Sequence, residues 1–315
     1  MPVACSARSK RQVDSVAPAV LSPDRYELDW ERDRASWPLY EASQFVRSEG
    51  LLWHVQRMGH GPLIVLIHGT GASTHSWRGL LPLLARRWSV LAFDLPGHGF
   101  TRGTAPAGLS DASMAVAVGA LLQALEAEPR VLVGHSAGAV VALRLVLEGR
   151  YRPRGVISLN GALRPFGGIR HALFAPLAKG IARLPLSAQL LSRRARNRRA
   201  VETLMATTGS RLRAADIDLY WRLLRSPRHV NGVLQMMAQW DLDGFARLLP
   251  RLAVPFVQLV GSADRTVPPA QAERVQAMLP RAQIVMLPGL GHLAHEEDPD
   301  AVERAIVACA SAWDV

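Results

Sequence analysis

The chain has 315 residues, about twice the size of a typical domain, so we expect two domains or one large domain with an insertion. Hydrophobic residues make up 49% of the sequence and charged residues 20%, a composition that buries a large core and excludes a fully disordered protein. The formal net charge is +11, because 37 lysine and arginine residues outnumber 26 aspartate and glutamate residues. That excess identifies no partner by itself.

The cysteines and the apolar runs indicate the compartment. Cys5 and Cys309 lie near opposite ends of the chain and form neither a disulfide framework nor a paired metal or redox motif, which favours a reducing environment. The strongest candidate for a membrane span, residues 131–147, is broken by polar side chains. Residues 1–12 are basic but lack the apolar core of a secretory signal. We therefore expect a cytoplasmic protein.

The predicted elements start after residues 1–24, which lack periodicity and are expected to form a flexible arm. Ser43–Arg47 and Leu51–Arg57 flank a short turn and predict an antiparallel hairpin. Apolar runs typical of buried strands then alternate with helical stretches. In chain order these are a strand at Leu63–Ile67, a helix at Trp77–Arg87, a strand at Val90–Phe93, a helix at Ala112–Glu126, a strand at Val131–Val133, a helix at Ala137–Glu148 and a strand at Val156–Leu159.

The alternation stops within residues 163–246, where only helical periodicity is present, and then resumes. The later elements are a strand at Pro255–Val260, a helix at Pro269–Leu279, a strand at Ile284–Leu287 and a last helix at Ala301–Trp313. Alternating strands and helices predict a mostly parallel, doubly wound α/β sheet, here of about eight strands. We therefore predict an α/β core at residues 25–162 and 247–315, with an inserted helical cap at residues 163–246.

The segment Gly134-His135-Ser136-Ala137-Gly138 fits G-x-S-x-G, the pattern of a strained strand-to-helix turn that lifts a serine oxygen above the sheet. The pattern alone is weak, because glycine and serine are common residues. Its context strengthens it, since a short apolar strand precedes the turn and a helix rich in alanine and valine follows. Ser136 is therefore the candidate nucleophile.

A serine nucleophile needs a histidine base, and the base needs an acid that orients it. In this kind of sheet they follow the serine in the order acid, then histidine. Asp264 and His292 each follow one of the last two predicted strands, so we predict a catalytic triad of Ser136, Asp264 and His292. The alternative is a capping or turn role for Asp264 and a loop role for His292. His292 and His295 lack a further ligand cluster, so we expect no metal and no cofactor.

The oxyanion of an acyl-transfer intermediate needs two backbone N–H donors. Ala137, which follows the nucleophile, is the first candidate. The second is Thr70, because glycines on both sides of it, Gly69 and Gly71, let the backbone face the substrate. A dinucleotide-binding loop is the competing interpretation of these glycines, but Thr74 stands where the third glycine of that motif is required.

A basic segment in the predicted cap is a candidate surface for an acidic partner. Its arginines, within one or two turns of a predicted helix, are Arg193, Arg194, Arg196, Arg198 and Arg199. Such a patch attracts an anionic lipid leaflet, a carboxylated ligand, an acidic protein or nucleic acid. A solvated helix face is the alternative. Nucleic acid is not among the partners that we expect.

These motifs resemble the α/β-hydrolase superfamily from about Ser43 to Trp313. Further segments resemble the magnesium-chelatase accessory proteins of bacteriochlorophyll synthesis, the BchO family. The segments are SWPLYEASQFV, LLWHVQRMGHGP, HGTGASTHSWR, SLNGAL and LLRSPRHVNGVLQMMAQWDLDG. The resemblance implies an α/β-hydrolase fold and the same triad and oxyanion donors. It also implies a role near the insertion of Mg²⁺ into protoporphyrin IX at a photosynthetic membrane, without fixing a reaction.

The predicted cap carries an apolar, methionine-bearing series that either packs on the core or forms the roof of a pocket. The candidate wall residues are Trp221, Met236, Met237 and Trp240, and the candidate cationic rim residues are Arg222, Arg225 and Arg228. Apolar walls with such a rim would suit a tetrapyrrole, which is a broad apolar disc with carboxylates.

Two functions stay open. A serine hydrolase acting on an ester or related acyl bond is favoured because every catalytic part is present. A noncatalytic accessory protein that binds a tetrapyrrole or assists magnesium chelatase is the alternative that the resemblance implies. The expected partners are a small-molecule substrate, with a tetrapyrrole as one candidate, and magnesium chelatase, and the implied location is cytoplasmic with peripheral contact at an anionic photosynthetic membrane.

Overall fold

A nine-stranded sheet forms the centre of the computed structural model, which describes residues 25–165, 180, 184 and 186–315. The strands are β1 (Ser43–Ser48), β2 (Leu51–Met58), β3 (Leu63–Ile67), β4 (Ser89–Phe93), β5 (Arg102–Gly103), β6 (Pro129–His135), β7 (Gly155–Leu159), β8 (Phe256–Gly261) and β9 (Gln283–Leu287). Their order is β1-β2-β4-β3-β6-β7-β8-β9, and β5 pairs with β2. The three pairs that involve β2 are antiparallel, and the remaining pairs, from β4 to β9, are parallel.

The predicted mostly parallel sheet is confirmed, and so is the hairpin at its start. The difference between about eight strands and nine is β5, whose two exposed residues are too few to leave a periodic signal. The predicted flexible arm, residues 1–24, lies outside the described residues.

Helices surround the sheet. The described helices are α1 (Trp30–Asp33), α2 (Leu80–Leu84), α3 (Asp111–Ala124), α4 (Ala137–Leu147), α5 (Ser187–Arg194), α6 (Arg198–Ala206), α7 (Ala214–Leu224), α8 (Pro227–Gln239), α9 (Leu242–Ala246), α10 (Ala270–Met278), α11 (Ala294–Glu297) and α12 (Pro299–Ala312). Short 3₁₀ turns also occur, including Thr74–Trp77. Within the described ranges, no helix is long and apolar enough to cross a bilayer.

The predicted helix Trp77–Arg87 is wrong in extent. A 3₁₀ turn ends at Trp77, and α2 then spans only Leu80–Leu84. Pro82 explains the break, because in a helix continuing from Trp77 its ring would clash with the carbonyl four residues back, that of Arg78. Proline is tolerated in the first turn of α2, where its missing N–H would have no helical partner.

Strand β3 shows why the core has two sides. All five of its residues are buried. Val65 and Ile67 belong to an apolar cluster with residues of α3 and α4, whereas Ile64 and Leu66 belong to a second cluster with residues of α2 and α12. Since successive side chains of a strand point to opposite faces, an entirely apolar strand requires helices on both faces of the sheet. The carboxyl ends of the parallel strands are therefore the accessible edge where a site can form.

The chain between β7 and β8 contains the described helices α5 to α9. Helix α8 contacts both α5 and α7, so these helices form one packed group over the carboxyl edge of the sheet. The boundaries of the cap at residues 163 and 246 stay a prediction.

Candidate active site

The segment from Gly134 to Gly138 forms a sharp turn between β6 and α4. Ser136 lies in it with φ 51° and ψ −117°, a backbone conformation that residues other than glycine rarely adopt. Both positions require glycine because neither has room for a side chain. A Cβ at Gly134 would collide with the backbone of Ala139, and a Cβ at Gly138 would collide with the carbonyl oxygen of Ile67. The turn therefore holds Ser136 at the carboxyl end of β6.

Asp264 and His292 lie side by side in the loops that follow β8 and β9. His292 Nδ1 is 2.8 Å from Asp264 Oδ2, and both residues are buried. The other carboxylate oxygen accepts from the backbone N–H groups of Thr266 and Val267, at 2.7 and 2.8 Å. Because a carboxylate only accepts hydrogen bonds, His292 donates from Nδ1, which leaves Nε2 as the ring nitrogen that can act as a base. An acid that orients a base in this way is the arrangement that activates a serine.

His135 links the nucleophile turn to the histidine loop. Its Nε2 donates to the carbonyl oxygen of His292 at 2.9 Å, and the two ring centroids are 4.8 Å apart. Burial lowers the pKa of His135 well below its usual value, so this ring stays neutral. In the described residues, no hydrogen bond joins Ser136 Oγ to His292 Nε2, and such bonds are often long until substrate binds. The structure brings the three predicted triad residues into one region and leaves the serine–histidine contact open.

The loop after β3 packs directly against the nucleophile, since a Cβ on Gly69 would lie 2.9 Å from Ser136 Cβ. The Gly69 carbonyl oxygen accepts from His68 Nδ1 at 2.8 Å and from Ala72 N at 3.2 Å. In a trans peptide the N–H points away from the carbonyl of the same unit. These two bonds therefore turn the Thr70 N–H away from His68 and Ala72, and Thr70 itself is exposed.

The other predicted oxyanion donor, Ala137, is the first residue of α4. The first N–H groups of a helix have no partner within the helix and carry partial positive charge, which favours an anion. The preceding amide, that of Ser136, already donates to the carbonyl oxygen of Leu159 at 3.0 Å. The Ala137 N–H is thus placed for an oxyanion, and its use with Thr70 stays a prediction.

Helix α8 forms the roof over the Thr70 loop. His229 Nδ1 accepts from Gly99 N at 3.1 Å, so its Nε2 donates to the carbonyl oxygen of Gly71, at 3.2 Å. Burial lowers the pKa of His229 to about 3, which keeps the ring neutral, as one acceptor and one donor require. Two turns further along the same face of the helix, Met236 Sδ accepts a hydrogen bond from Thr70 Oγ1 at 3.6 Å. Helix α8 therefore contacts the candidate oxyanion loop directly.

Asn160 is a supporting residue that sequence reasoning missed. Its Nδ2 donates to the carbonyl oxygens of Gly291 and His292, at 2.9 and 2.8 Å, and its Oδ1 accepts from Gly261 N at 2.7 Å. One side chain thus ties the histidine loop to the end of β8. The available signal was an Asn-Gly pair directly after a buried strand, and Asn160 does adopt a left-handed φ of 47°.

Residues 208–210, between α6 and α7, also went unrecognised. The carbonyl oxygen of Thr208 accepts from His292 N and from Arg265 N, both at 3.2 Å. Ser210 Oγ accepts from Leu293 N at 2.8 Å. Gly209 fits so closely that a Cβ on it would collide with the carbonyl oxygen of the residue before Asp264. This segment therefore contacts the acid loop and the histidine loop at once.

The four predicted wall residues differ in their placement. Met236 is fully buried and contacts Thr70, whereas the next residue, Met237, is 49% exposed. Trp221 donates from Nε1 to the carbonyl oxygen of Arg196 at 3.3 Å, and Trp240 donates to that of Leu109 at 3.1 Å. Met236 therefore contacts an assigned site residue, whereas each of the two tryptophans is hydrogen-bonded to a backbone carbonyl.

The predicted cationic rim is used for internal contacts. Arg228 donates to the carbonyl oxygens of Gly99 and Thr101, at 2.7 and 2.9 Å, and Arg222 donates to Ser36 Oγ at 2.7 Å. The guanidinium of Arg225 stacks on the ring of Trp221, with its Cζ 3.9 Å from the ring centroid. Sequence spacing could not show the contacts of Arg228 and Arg222, because their partners lie more than a hundred residues away in the chain.

A buried polar cluster lies behind the histidine loop. Glu296 accepts from Ser76 Oγ and from Arg78 Nη1, both at 2.6 Å. Burial raises the pKa of Glu296, against the opposing effect of Arg78. His295 Nε2 bonds to Ser76 Oγ at 2.8 Å, which gives His295 a structural role in this cluster. Over the part of the chain that is described, no three histidine, cysteine or acidic residues group as metal ligands.

Comparison with known proteins agrees with the fold. The profile described as "Alpha/beta hydrolase family" matches residues 64–305, and the chain belongs to that family. Within it, the chain is 38% identical over 275 residues to the magnesium-chelatase 30 kDa subunit of Rhodobacter capsulatus, covering 87% of this chain and 96% of that protein. The resemblance inferred from the sequence is therefore confirmed.

More distant relatives include hydrolases. The chain is 28% identical to the pimeloyl-[acyl-carrier protein] methyl ester esterase of Xanthomonas oryzae pv. oryzae, over 80% of this chain and 96% of the esterase. Among solved structures, a thermophilic esterase from Thermogutta terrifontis superposes with a TM-score of 0.67 at 24% identity, over 86% of this chain and all of the esterase. The structural likeness, at that identity, supports the fold alone.

Proposed function

We propose that the protein is a serine hydrolase that cleaves an ester or a related acyl bond, with Ser136 as the nucleophile. The observation that carries the proposal is the Asp264–His292 hydrogen bond of 2.8 Å beside a serine held in a strained turn. These three residues follow the chain order of α/β-hydrolase triads. The proposed site differs from a chance G-x-S-x-G match because the acid and the base meet next to it in space.

The proposed reaction has two halves. His292 Nε2 takes the Ser136 hydroxyl proton as Oγ attacks the acyl carbon, and the N–H groups of Thr70 and Ala137 stabilise the oxyanion. His292 then gives the proton to the leaving group, whose bond to the acyl carbon breaks. In the second half, His292 takes a proton from water as the water oxygen attacks the acyl carbon, and it returns that proton to Ser136 Oγ as the bond between Oγ and the acyl carbon breaks and the acid is released. Asp264 stays ionised and orients His292 throughout.

A second candidate function is a noncatalytic accessory role at the magnesium-chelatase step of bacteriochlorophyll synthesis. The 38% identity to a magnesium-chelatase subunit favours it. In this proposal the space under α8 holds a tetrapyrrole, or the protein contacts the chelatase itself, in the cytoplasm or at the surface of a photosynthetic membrane. The two candidates are compatible, since a hydrolase of the pathway could act on a tetrapyrrole ester.

Labelling with a fluorophosphonate probe tests the hydrolase proposal. The wild type should be labelled at Ser136, located by peptide mass spectrometry, and Ser136→Ala or His292→Ala should lower the labelling rate by roughly 10³-fold or more. Ser311→Ala and His60→Ala, at exposed positions, are the matched controls and should label as the wild type does. A folded wild type that resists the probe, or equal labelling of Ser136→Ala, would leave only the accessory role.

A further inference from the structure

Exposed leucines are concentrated in one part of the described chain. The large apolar side chains with the highest exposure are Leu184 at 60%, Leu186 at 64% and Leu190 at 62%. Leu191, one residue further, is 41% exposed. Single exposed leucines are common on soluble proteins, but a group of four within eight residues marks a contact surface.

The packing of helix α5 explains why Leu190 faces outward. Its small residues Ala188 and Ser192 are buried, and Ala188 packs with Val230 and Leu234 of α8. At about 100° per residue, Leu190 lies on the side opposite to Ala188 and Ser192. Helix α5 is thus fixed to α8 by a face of small side chains and presents a leucine on its outer face.

Arginines flank this leucine. Arg193 and Arg194, three and four residues after Leu190, lie on either side of it along the helix and are exposed. Neither forms an ion pair with another described residue, and the same holds for Arg199 at the start of α6. Arg198, in contrast, is paired with Asp218 at 2.7 Å. Positive charge that has no carboxylate partner among the described residues therefore borders the exposed leucines.

We propose that Leu184, Leu186, Leu190, Arg193 and Arg194, which we call the leucine–arginine face, dock on the surface of an anionic lipid bilayer. Leucines that enter the boundary between headgroups and acyl chains remove their apolar surface from water, and arginines beside them bind lipid phosphates. An acidic protein would satisfy the arginines alone. The bilayer surface matches both features, because it offers negative charge and apolar depth at the same place.

The docking face is close to the candidate site. Its helix, α5, packs on α8, and α8 contacts the oxyanion loop through His229 and Met236. A docked protein would hold the roof of the site next to the bilayer, so an acyl substrate dissolved in the membrane could reach Ser136 without crossing bulk water. This second step rests on the proposed function, whereas docking itself does not.

Vesicle co-sedimentation tests the docking. Full-length protein should bind vesicles of phosphatidylglycerol and phosphatidylcholine at low salt, bind pure phosphatidylcholine at least roughly tenfold more weakly, and be released as salt rises. The double variants Leu186→Ser with Leu190→Ser, and Arg193→Ala with Arg194→Ala, should each weaken binding roughly tenfold or more. Far-UV circular dichroism and the unfolding midpoint check that each variant is folded.

Matched controls change the same residue types elsewhere. Arg86→Ala with Arg87→Ala removes an exposed arginine pair outside the face, and Met286→Ser removes an exposed apolar side chain, so both should bind as the wild type does. Ser136→Ala should also bind unchanged, which separates docking from catalysis. Vesicle binding that depends on the arginines but not on the leucines would overturn the proposed entry of the leucines into the bilayer and leave only electrostatic adsorption, and absence of binding at low salt would overturn docking outright.

Discussion

Ser210 accepts a hydrogen bond at 2.8 Å from the backbone N–H of Leu293, the residue that follows the candidate base. The carbonyl oxygen of Thr208 accepts from the N–H of His292 itself. Since both acceptors lie between α6 and α7, the position of the histidine loop depends on the helical insertion as well as on the sheet. The segment at residues 208–210 is therefore a positioning element for the proposed chemistry.

The first prediction concerns this segment. Ser210→Ala removes the acceptor for the Leu293 N–H and should destabilise the fold by about 1 kcal/mol, and Gly209→Ala should cost more, because its Cβ has no space and its φ is +81°. In both variants the labelling rate of Ser136 by the fluorophosphonate should fall by more than the decrease in the folded fraction accounts for. Ser187→Ala, at the first residue of α5, is the control. Labelling at the wild-type rate in a folded Ser210→Ala would show that the bond does not position the base.

The second prediction concerns Asn160. Asn160→Ala removes two donors and one acceptor that are buried, so we expect a loss of roughly 2–3 kcal/mol in the free energy of unfolding and a fall in labelling rate. Asn160→Asp keeps an acceptor for Gly261 N but sets a carboxylate against the two carbonyl oxygens, so it should be no better. Urea denaturation measures the first effect. Asn231→Ala, at an exposed position of α8, should change neither quantity.

The sequence predicted the sheet well because buried parallel strands leave continuous apolar runs. It also placed Asp264 and His292 in adjacent loops, since the loops after neighbouring parallel strands meet at one edge. The helix at Trp77–Arg87 was overextended because apolar periodicity outweighed the position of Pro82. What could be predicted was therefore the path of the backbone and the residues at strand ends.

The supporting contacts could not be predicted in the same way. Asn160 reaches the histidine loop across more than 130 residues of chain, and Ser210 reaches Leu293 across 83. No local pattern encodes such a pairing, because it depends on how the helical insertion packs on the core. The contacts of Arg228 could not be predicted for the same reason, since its partners Gly99 and Thr101 lie more than a hundred residues away in the core.

The third prediction is a loss of stability in mild acid. Burial lowers the pKa of six histidines, namely His68, His75, His98, His135, His229 and His295. The unfolded chain binds protons at these groups near pH 6.5 and the folded chain does not, so their contribution to stability is complete above that pH and is lost as pH falls toward the folded values, about 3 for His229. The raised pKa of Glu296 changes stability with pH in the opposite direction, but it is a single group against six histidines.

Urea denaturation from about pH 7.5 to about pH 4.5 measures this effect. The free energy of unfolding should fall below about pH 6.5, by up to about 1.4 kcal/mol per pH unit for each histidine. His229→Gln can keep an acceptor for the Gly99 N–H and a donor for the Gly71 carbonyl. It should lower the slope of the free energy of unfolding against pH by the contribution of about one proton. His60→Gln, at an exposed position, should leave the slope unchanged. A stability that is flat across this range would contradict the prediction.

The fourth prediction tests whether a tetrapyrrole binds at the roof of the site. If a tetrapyrrole binds under α8, magnesium protoporphyrin IX should quench tryptophan emission saturably, since Trp221 and Trp240 flank that helix. Met237→Arg places a long charged side chain next to Met236, which touches Thr70, and should weaken binding roughly tenfold or more.

Met286→Arg is the matched control for that substitution, because Met286 on β9 is 45% exposed, close to the 49% of Met237, and lies outside the cap region. It should bind the pigment as the wild type does. Equal loss in both variants would mean that the added charge acts nonspecifically. Quenching that never saturates in the wild type would exclude a pigment site under α8, and similarity to a chelatase subunit would then have to reflect contact with the chelatase or hydrolysis of a different acyl compound.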